Sequence, residues 1–127
     1  MRAAIELFEE ACAHDREGRE AAAAPLYEEA LALGLGDPER PRALLGLGST
    51  YRNLGRYDDA VRTLEAAVAA YPDLAELRLF LALALRSAGR EPQAFRLLGE
   101  LVVAHANLHG YERAATLYLA EVDGTSQ

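Results

Sequence analysis

Residues 41–74 read PRALLGLGSTYRNLGRYDDAVRTLEAAVAAYPDL, and residues 75–108 read AELRLFLALALRSAGREPQAFRLLGELVVAHANL. The two segments are copies of one 34-residue pattern, because small residues and leucines return at matching places. The matching pairs are Leu47 and Leu81, Gly55 and Gly89, Ala60 and Ala94, and Leu64 and Leu98. A period near 34 residues with helical hydrophobic spacing is typical of stacked helical hairpins. The sequence therefore predicts an all-α repeat protein.

A fainter copy of the pattern precedes these two, in about residues 4–37. Its Gly18 and Ala23 lie 37 positions before Gly55 and Ala60, and the three extra residues fall in the loop before the next copy. Three hairpins and one last helix use the whole chain of 127 residues, which leaves room for a single domain.

Glycine, proline and aspartate mark the expected helix ends. Gly55 and Gly89 are expected to end the first helix of their hairpins, which we name helix A, and helix B follows each of them. Asp37 and Asp73 are expected to cap the N-termini of the next A helices. A last helix over about residues 110–121 is expected to cap the end of the stack.

Small residues recur at one position of helix A and, with one exception, at two positions of helix B. They are Ala11, Gly48 and Ala82 on helix A, and Ala23, Ala60 and Ala94, then Ala30, Ala67 and the exception Leu101, on helix B. Two helices approach to about 8–10 Å where their side chains are small, so these positions are expected to be the contacts between A and B. The gaps beside them are expected to be filled by Leu47, Leu64, Leu81 and Leu98.

Composition restricts the class of function. The formal net charge of −7 argues against nucleic acid as the main partner and favours a basic or amphiphilic one. All 13 basic residues are arginine, which suggests a GC-rich, bacterial genome. One cysteine, no long apolar run and three glutamates within residues 1–10 predict a cytoplasmic protein without a membrane segment.

The middle copy resembles a known repeat family. Its matches to the tetratricopeptide repeat consensus are Leu47, Gly48, Tyr51, Gly55, Tyr57, Ala60, Leu64, Ala67 and Pro72. Residues 75–108 match less fully and residues 4–37 mainly in helix B. The chain is similar to compact bacterial proteins of about three such repeats. The resemblance implies a right-handed α-α superhelix of three hairpins with a C-terminal capping helix. It also implies a scaffold whose A helices line a concave groove that binds a peptide or protein segment.

The resemblance also implies which side chains face that groove, at about the second, fifth, ninth, twelfth and thirteenth positions of helix A. These positions hold Ile5, Phe8, Cys12, Asp15 and Arg16, then Arg42, Leu45, Ser49, Arg52 and Asn53, then Glu76, Leu79, Leu83, Arg86 and Ser87. The residues predicted to contact a partner are Phe8, Arg16, Leu45, Ser49, Arg52, Asn53, Leu79, Leu83, Arg86 and Ser87.

Three of these residues, Arg16, Arg52 and Arg86, fall at the same or the neighbouring position of successive A helices. They could bind a carboxylate or phosphate through their planar forks of donors. They could equally be solvated helix ends, where a cation suits the helix dipole. The sequence leaves both interpretations open.

No catalytic, metal or cofactor site is predicted. His105 and His109 have the spacing of two ligands on one helical turn, but Asn107 and Gly110 predict that the helix ends between them. Cys12 is expected to be a buried core residue.

Two other functions stay open. A structural homo-oligomer would fill the groove with its own last helix or a second subunit, and an anionic small-ligand sensor would use the three arginines. A weak head-to-tail oligomer is also open, because residues 1–34 have a net charge of −5 and residues 75–108 of +1.

Overall fold

The computed structural model describes residues 2–122, and within them it contains seven α-helices and no strand. The helices are α1 (Ala4–Arg16), α2 (Glu20–Ala32), α3 (Glu39–Asn53), α4 (Tyr57–Ala70), α5 (Ala75–Ser87), α6 (Glu91–His105) and α7 (Glu112–Leu119).

The helices pack as three successive hairpins. Helix α1 packs on α2, α3 on α4 and α5 on α6, and each new hairpin stacks on the one before it through contacts of α3 with α1 and α2, and of α5 with α3 and α4. Helix α7 packs on α6. The predicted solenoid of three helical hairpins and a C-terminal helix is therefore confirmed.

Glycine ends the A helices as the sequence predicts. Gly55 and Gly89 have φ angles of 79° and 81°, a left-handed conformation that glycine adopts without steric cost. After each glycine, the next amide bonds back into the last turn, from Arg56 to the Tyr51 carbonyl at 2.8 Å and from Arg90 to the Leu85 carbonyl at 2.8 Å. This pattern satisfies carbonyls that the helix itself leaves free, and it turns the chain into helix B.

The predicted N-caps Asp37 and Asp73 are wrong. Helix α3 begins at Glu39 and α5 at Ala75, and neither has a side-chain cap. An aspartate caps a helix when it stands directly before the first turn, whereas these two stand one residue too early. Asp37 instead accepts a hydrogen bond of 2.5 Å from the hydroxyl of Tyr71.

The small residues lie at helix contacts, as the repeat pattern predicts. Ala11, Ala23 and Ala60 are buried completely. A Cβ at Gly48 would lie 2.5 Å from Cγ of Leu64, so the glycine is what allows α4 to pack this closely on α3. The predicted contact between helices A and B is thus confirmed at Gly48, and the burial of the three alanines agrees with it.

One of the leucines expected to fill a gap does not do so. Leu47, Leu64 and Leu81 are buried, but Leu98 on α6 is exposed. The physical reason is that α6 belongs to the last hairpin, and α7 does not cover this part of it. Within residues 2–122, no helix has the length and apolar character that crossing a membrane requires.

Candidate partner-binding groove

The A helices share a concave surface with a cavity of about 480 Å³, which we call the groove cavity. Residues of α1, α3 and α5 line it, together with Tyr27 from α2. The A helices come together here because each stacks directly on the A helix of the preceding hairpin.

Two aromatic rings form the floor of the groove cavity. Phe8 and Tyr27 are both buried, with ring centroids 6.3 Å apart and planes tilted by 52°. Tilted aromatic pairs at this distance are favourable beyond their buried area. A Cβ at Gly46 would lie 2.7 Å from Cζ of Tyr27, so this glycine of α3 makes room for the tyrosine.

Polar groups at one end of the floor are connected by the Tyr27 hydroxyl. It donates a hydrogen bond of 2.8 Å to Oδ2 of Asp15 and lies 3.9 Å from Sγ of Cys12. Burial, and then the hydrogen bond to Asp15, raise the pKa of Tyr27, because both disfavour the phenolate. The phenol thus remains a neutral donor that holds the Asp15 carboxylate in place.

Arg42 stands above this floor. Its Cζ atom lies 5.5 Å from the Phe8 ring centroid, within the range of a cation–π contact. Arg42 also lines a smaller cleft of about 290 Å³ with Asp15 and Arg16, so the groove continues along α1 and α3. The predicted residues Phe8 and Leu45 line the groove cavity itself, and Arg16 lines the adjoining cleft.

The three arginines predicted as a row have different surroundings. Nε of Arg52 donates a hydrogen bond of 2.9 Å to Oγ of Ser87, which ties α3 to α5. Arg86 is exposed, and its Nε lies 3.8 Å from Oε2 of Glu91. Arg16 is exposed at the end of α1. The role of the three arginines in binding a partner stays a prediction. For Arg52, the hydrogen bond to Ser87 already gives the side chain a structural role.

The remaining predicted residues lie outside the groove cavity. Leu79 lines a separate cavity of about 640 Å³ between α5 and α6. Ser49 and Leu83 are half-buried and Asn53 is exposed, and none of the three is among the residues that line the groove cavity. Their contact with a partner also stays a prediction.

Several residues that shape the groove cavity were not among the predicted contacts. Asp15, Arg42 and Glu76 stand at positions that the resemblance implies to face the groove, and all three line the groove cavity, but their residue types do not distinguish them from other charged surface residues. The predicted contacts do not include Tyr27, because it lies on helix B and the resemblance implies groove-facing positions on helix A. The Tyr27 hydroxyl is a signal that Tyr27 has a polar neighbour at the groove, because a buried tyrosine usually needs a hydrogen-bond partner.

The two histidines do not share a helical turn. Helix α6 ends at His105, and His109 has a φ angle of 54°, outside any helix. The expectation that the helix ends between them is confirmed. Among residues 2–122, no group of three or more metal-binding side chains occurs.

Stacked helix pairs with a concave cavity along one set of helices define the class of helical-repeat scaffolds. A family model described as "Tetratrico peptide repeat" matches residues 4–122. The chain therefore belongs to the tetratricopeptide repeat family, which generally mediates protein–protein interactions and is typically non-enzymatic. No curated protein matches the chain.

Proposed function

We propose that the chain is an interaction scaffold that binds a segment of a partner protein in the groove cavity. The observation that supports this most directly is a cavity of about 480 Å³ with an apolar floor and charged groups at its edge. Pockets of this size and composition bury apolar side chains and use a few polar groups for orientation. The cavity opens on the A helices, the side that the family resemblance predicts.

The lining of the groove cavity suggests the chemistry of the bound segment. Phe8, Leu45 and Leu77 offer apolar contacts for a large side chain. Asp15 and Glu76 are acidic, and the chain as a whole has a net charge of −7, so a basic residue beside the apolar one is favoured. Arg42 can donate to a backbone carbonyl of the segment.

Selection from a library of random peptides displayed on phage, with the purified chain as bait, tests this proposal. Peptides with an apolar residue next to a basic one are expected. Glu76→Arg should weaken their binding about tenfold or more, because it replaces an acidic residue of the cavity lining by one that repels the basic residue of the peptide. Glu65→Arg on α4 is the matched control, since Glu65 is exposed and does not line the groove cavity.

Equal binding of the selected peptides to the Glu76→Arg and Glu65→Arg variants would overturn the proposal. Glu76 serves this test better than Arg52, because Arg52→Ala would also remove the bond to Ser87 that joins α3 to α5. The unfolding midpoint of each variant should stay close to that of the unmodified chain, since both glutamates are exposed.

The two alternative functions have less support. A groove filled by the last helix of the same chain is disfavoured, because α7 packs on α6 and contributes no residue to the lining of the groove cavity. An anion sensor built on three arginines is disfavoured because Arg52 and Arg86 each have a different neighbouring partner.

A further inference from the structure

The last B helix exposes side chains that its predecessor buries. Val61 of α4 is 3% exposed, whereas Phe95, one period later on α6, is 63% exposed. Leu64 is 1% exposed and Leu98, again one period later, is 38% exposed. In the earlier hairpins, the next A helix packs on helix B. The side chains of α6 that correspond to buried ones of α4 are therefore not fully covered by a following helix.

Helix α7 stands where the next A helix would be, but it makes fewer contacts. It packs on α6, with Leu119 directly over Gly99, and within residues 2–122 it has no packing contact with α5, although α3 packs on α1 and α5 on α3. Tyr111 and Tyr118 are 72% and 68% exposed, at the positions that follow buried residues of α5 by one period. The apolar side chains of α7 are thus as uncovered as those of α6.

The exposed side chains form one continuous surface, which we call the C-terminal apolar face and define by Phe95, Leu98, Val102 and Tyr118. Phe95, Val102 and Tyr118 line a cavity of about 440 Å³ between α6 and α7. Leu98 and Val102 line the cavity of about 640 Å³ between α5 and α6. Val102 belongs to both, so the two cavities adjoin. A contiguous apolar surface of this kind marks an interaction site.

The charge distribution indicates what covers this face. Residues 75–122 contain five acidic residues and five arginines and are neutral, whereas residues 1–34 have a net charge of −5. The N-terminal end also offers little apolar surface, since Ile5 and Leu33 are the large hydrophobic residues exposed within residues 2–34, and they lie apart, on α1 and directly after α2. A second copy can therefore bring a matching neutral, apolar surface only with its own C-terminal end.

We propose that two copies of the chain associate through their C-terminal apolar faces, in a two-fold symmetric dimer. In such a dimer the same patch meets itself, so each Phe95 and Val102 is covered by the other copy. The two acidic N-terminal ends then lie at opposite ends of the assembly, where their mutual repulsion is smallest. Both groove cavities stay open, because α1, α3 and α5 line them rather than α6 and α7.

Sedimentation equilibrium of the full chain over a range of concentrations tests the dimer. The unmodified chain should sediment as a species of twice its 13.8 kDa mass. Val102→Glu should raise the dimer dissociation constant at least tenfold, because it buries a charge in an apolar contact. Leu33→Glu is the matched control: Leu33 has similar exposure but lies at the end of α2, and this variant should remain a dimer.

Salt dependence separates this arrangement from a head-to-tail contact that depends on the charge of the acidic N-terminal end. An apolar interface should keep its strength or become stronger in sodium sulfate, whereas a contact driven by charge should weaken. Arg42→Glu, which alters the groove cavity, should leave the dimer intact. The helical circular dichroism of Val102→Glu should match that of the unmodified chain, because Val102 is exposed in a single copy. Its unfolding midpoint should match that of the Leu33→Glu control at concentrations low enough for both to be monomeric, and should be lower at concentrations where the control is a dimer.

Three results would overturn the proposal. The first is an unmodified chain that stays monomeric at the highest concentration at which it is soluble. The second is a Val102→Glu variant that dimerises as well as the Leu33→Glu control. The third is a dimer that Arg42→Glu disrupts, which would place the second copy in the groove instead.

Discussion

Helices α4 and α6 occupy the same place in successive hairpins, but their surroundings differ. Helix α4 has α3 on one side and α5 on the other, while α6 has α5 on one side and the short helix α7 on the other. Leu64 on α4 is buried, and Leu98 at the same repeat position of α6 is exposed. In a repeat protein, the contribution of a residue to stability thus depends more on whether a neighbouring hairpin covers it than on which amino acid it is.

The first prediction tests this difference with leucine truncation and has the largest expected effect. Leu64→Ala should lower the free energy of unfolding by about 2–5 kcal/mol, because it removes a fully buried side chain and leaves a cavity. Leu98→Ala should cost less than about 1 kcal/mol, because the side chain is already exposed to solvent. Urea denaturation of both variants in the Val102→Glu background, which keeps the chain monomeric, measures the two values.

Equal losses in the two leucine variants would mean that α6 is covered as well as α4. That result would contradict the difference between the two regions. A loss for Leu98→Ala only at concentrations where the chain is a dimer would instead support the two-fold contact.

The second prediction uses two glycines with the same local crowding. A Cβ at Gly48 would lie 2.5 Å from Cγ of Leu64, and a Cβ at Gly99 would lie 2.5 Å from Cδ2 of Leu119. Gly48→Ala should cost about 1–3 kcal/mol, because Leu64 is buried between helices and cannot move aside. Gly99→Ala should be near neutral or stabilising by up to about 1 kcal/mol, since α7 can shift and alanine favours a helix.

Thermal unfolding of the two glycine variants distinguishes these outcomes, with a lowered midpoint expected for Gly48→Ala alone. If Gly99→Ala lowers the midpoint by as much, α7 is held in place more firmly than its exposure suggests.

The third prediction concerns pH and has the smallest expected effect. Burial, and then the hydrogen bond to Glu28, raise the pKa of Tyr51 from 10.0 to about 12. A raised pKa means that the folded state binds the phenolic proton more tightly than the unfolded state does. The stabilisation is therefore complete below pH 10 and is lost as the pH rises through about 12.

Urea denaturation between about pH 9 and pH 12 measures this decline. Tyr51→Phe should reduce the slope of the free energy of unfolding against pH. An identical slope in the unmodified chain and in Tyr51→Phe would show that the phenol of Tyr51 is not what couples stability to pH.

Much of the fold followed from the sequence, because the features that repeat are the ones that determine helix contacts and helix ends. Glycines at the ends of helix A and small residues at the A–B contacts act locally, so their spacing carried over to the structure. The caps predicted at Asp37 and Asp73 are absent from the structure, since a shift of one residue is enough to remove a capping bond. The predicted burial of Leu98 is wrong for another reason. It depends on a following helix that the repeat pattern assumes, and α7 does not cover this residue.

The groove was less predictable than the fold. The family resemblance implies that Phe8, Leu45 and Arg42 lie on the groove-facing side of helix A, and all three line the groove cavity. The spacing could not indicate that Arg52 bonds to Ser87, or that Asp15 bonds to Tyr27. Such pairs depend on how far one hairpin is displaced from the next, and a single repeat does not contain that information.

The order of contacts along the stack has a consequence for how the chain acquires its structure. Within residues 2–122, each helix packs only on helices one or two places away from it in the chain. Folding therefore needs no distant segment to be found, which favours rapid acquisition of structure. A first pair of helices can form while later residues are still being synthesised, and each new pair can then use the previous one as a template.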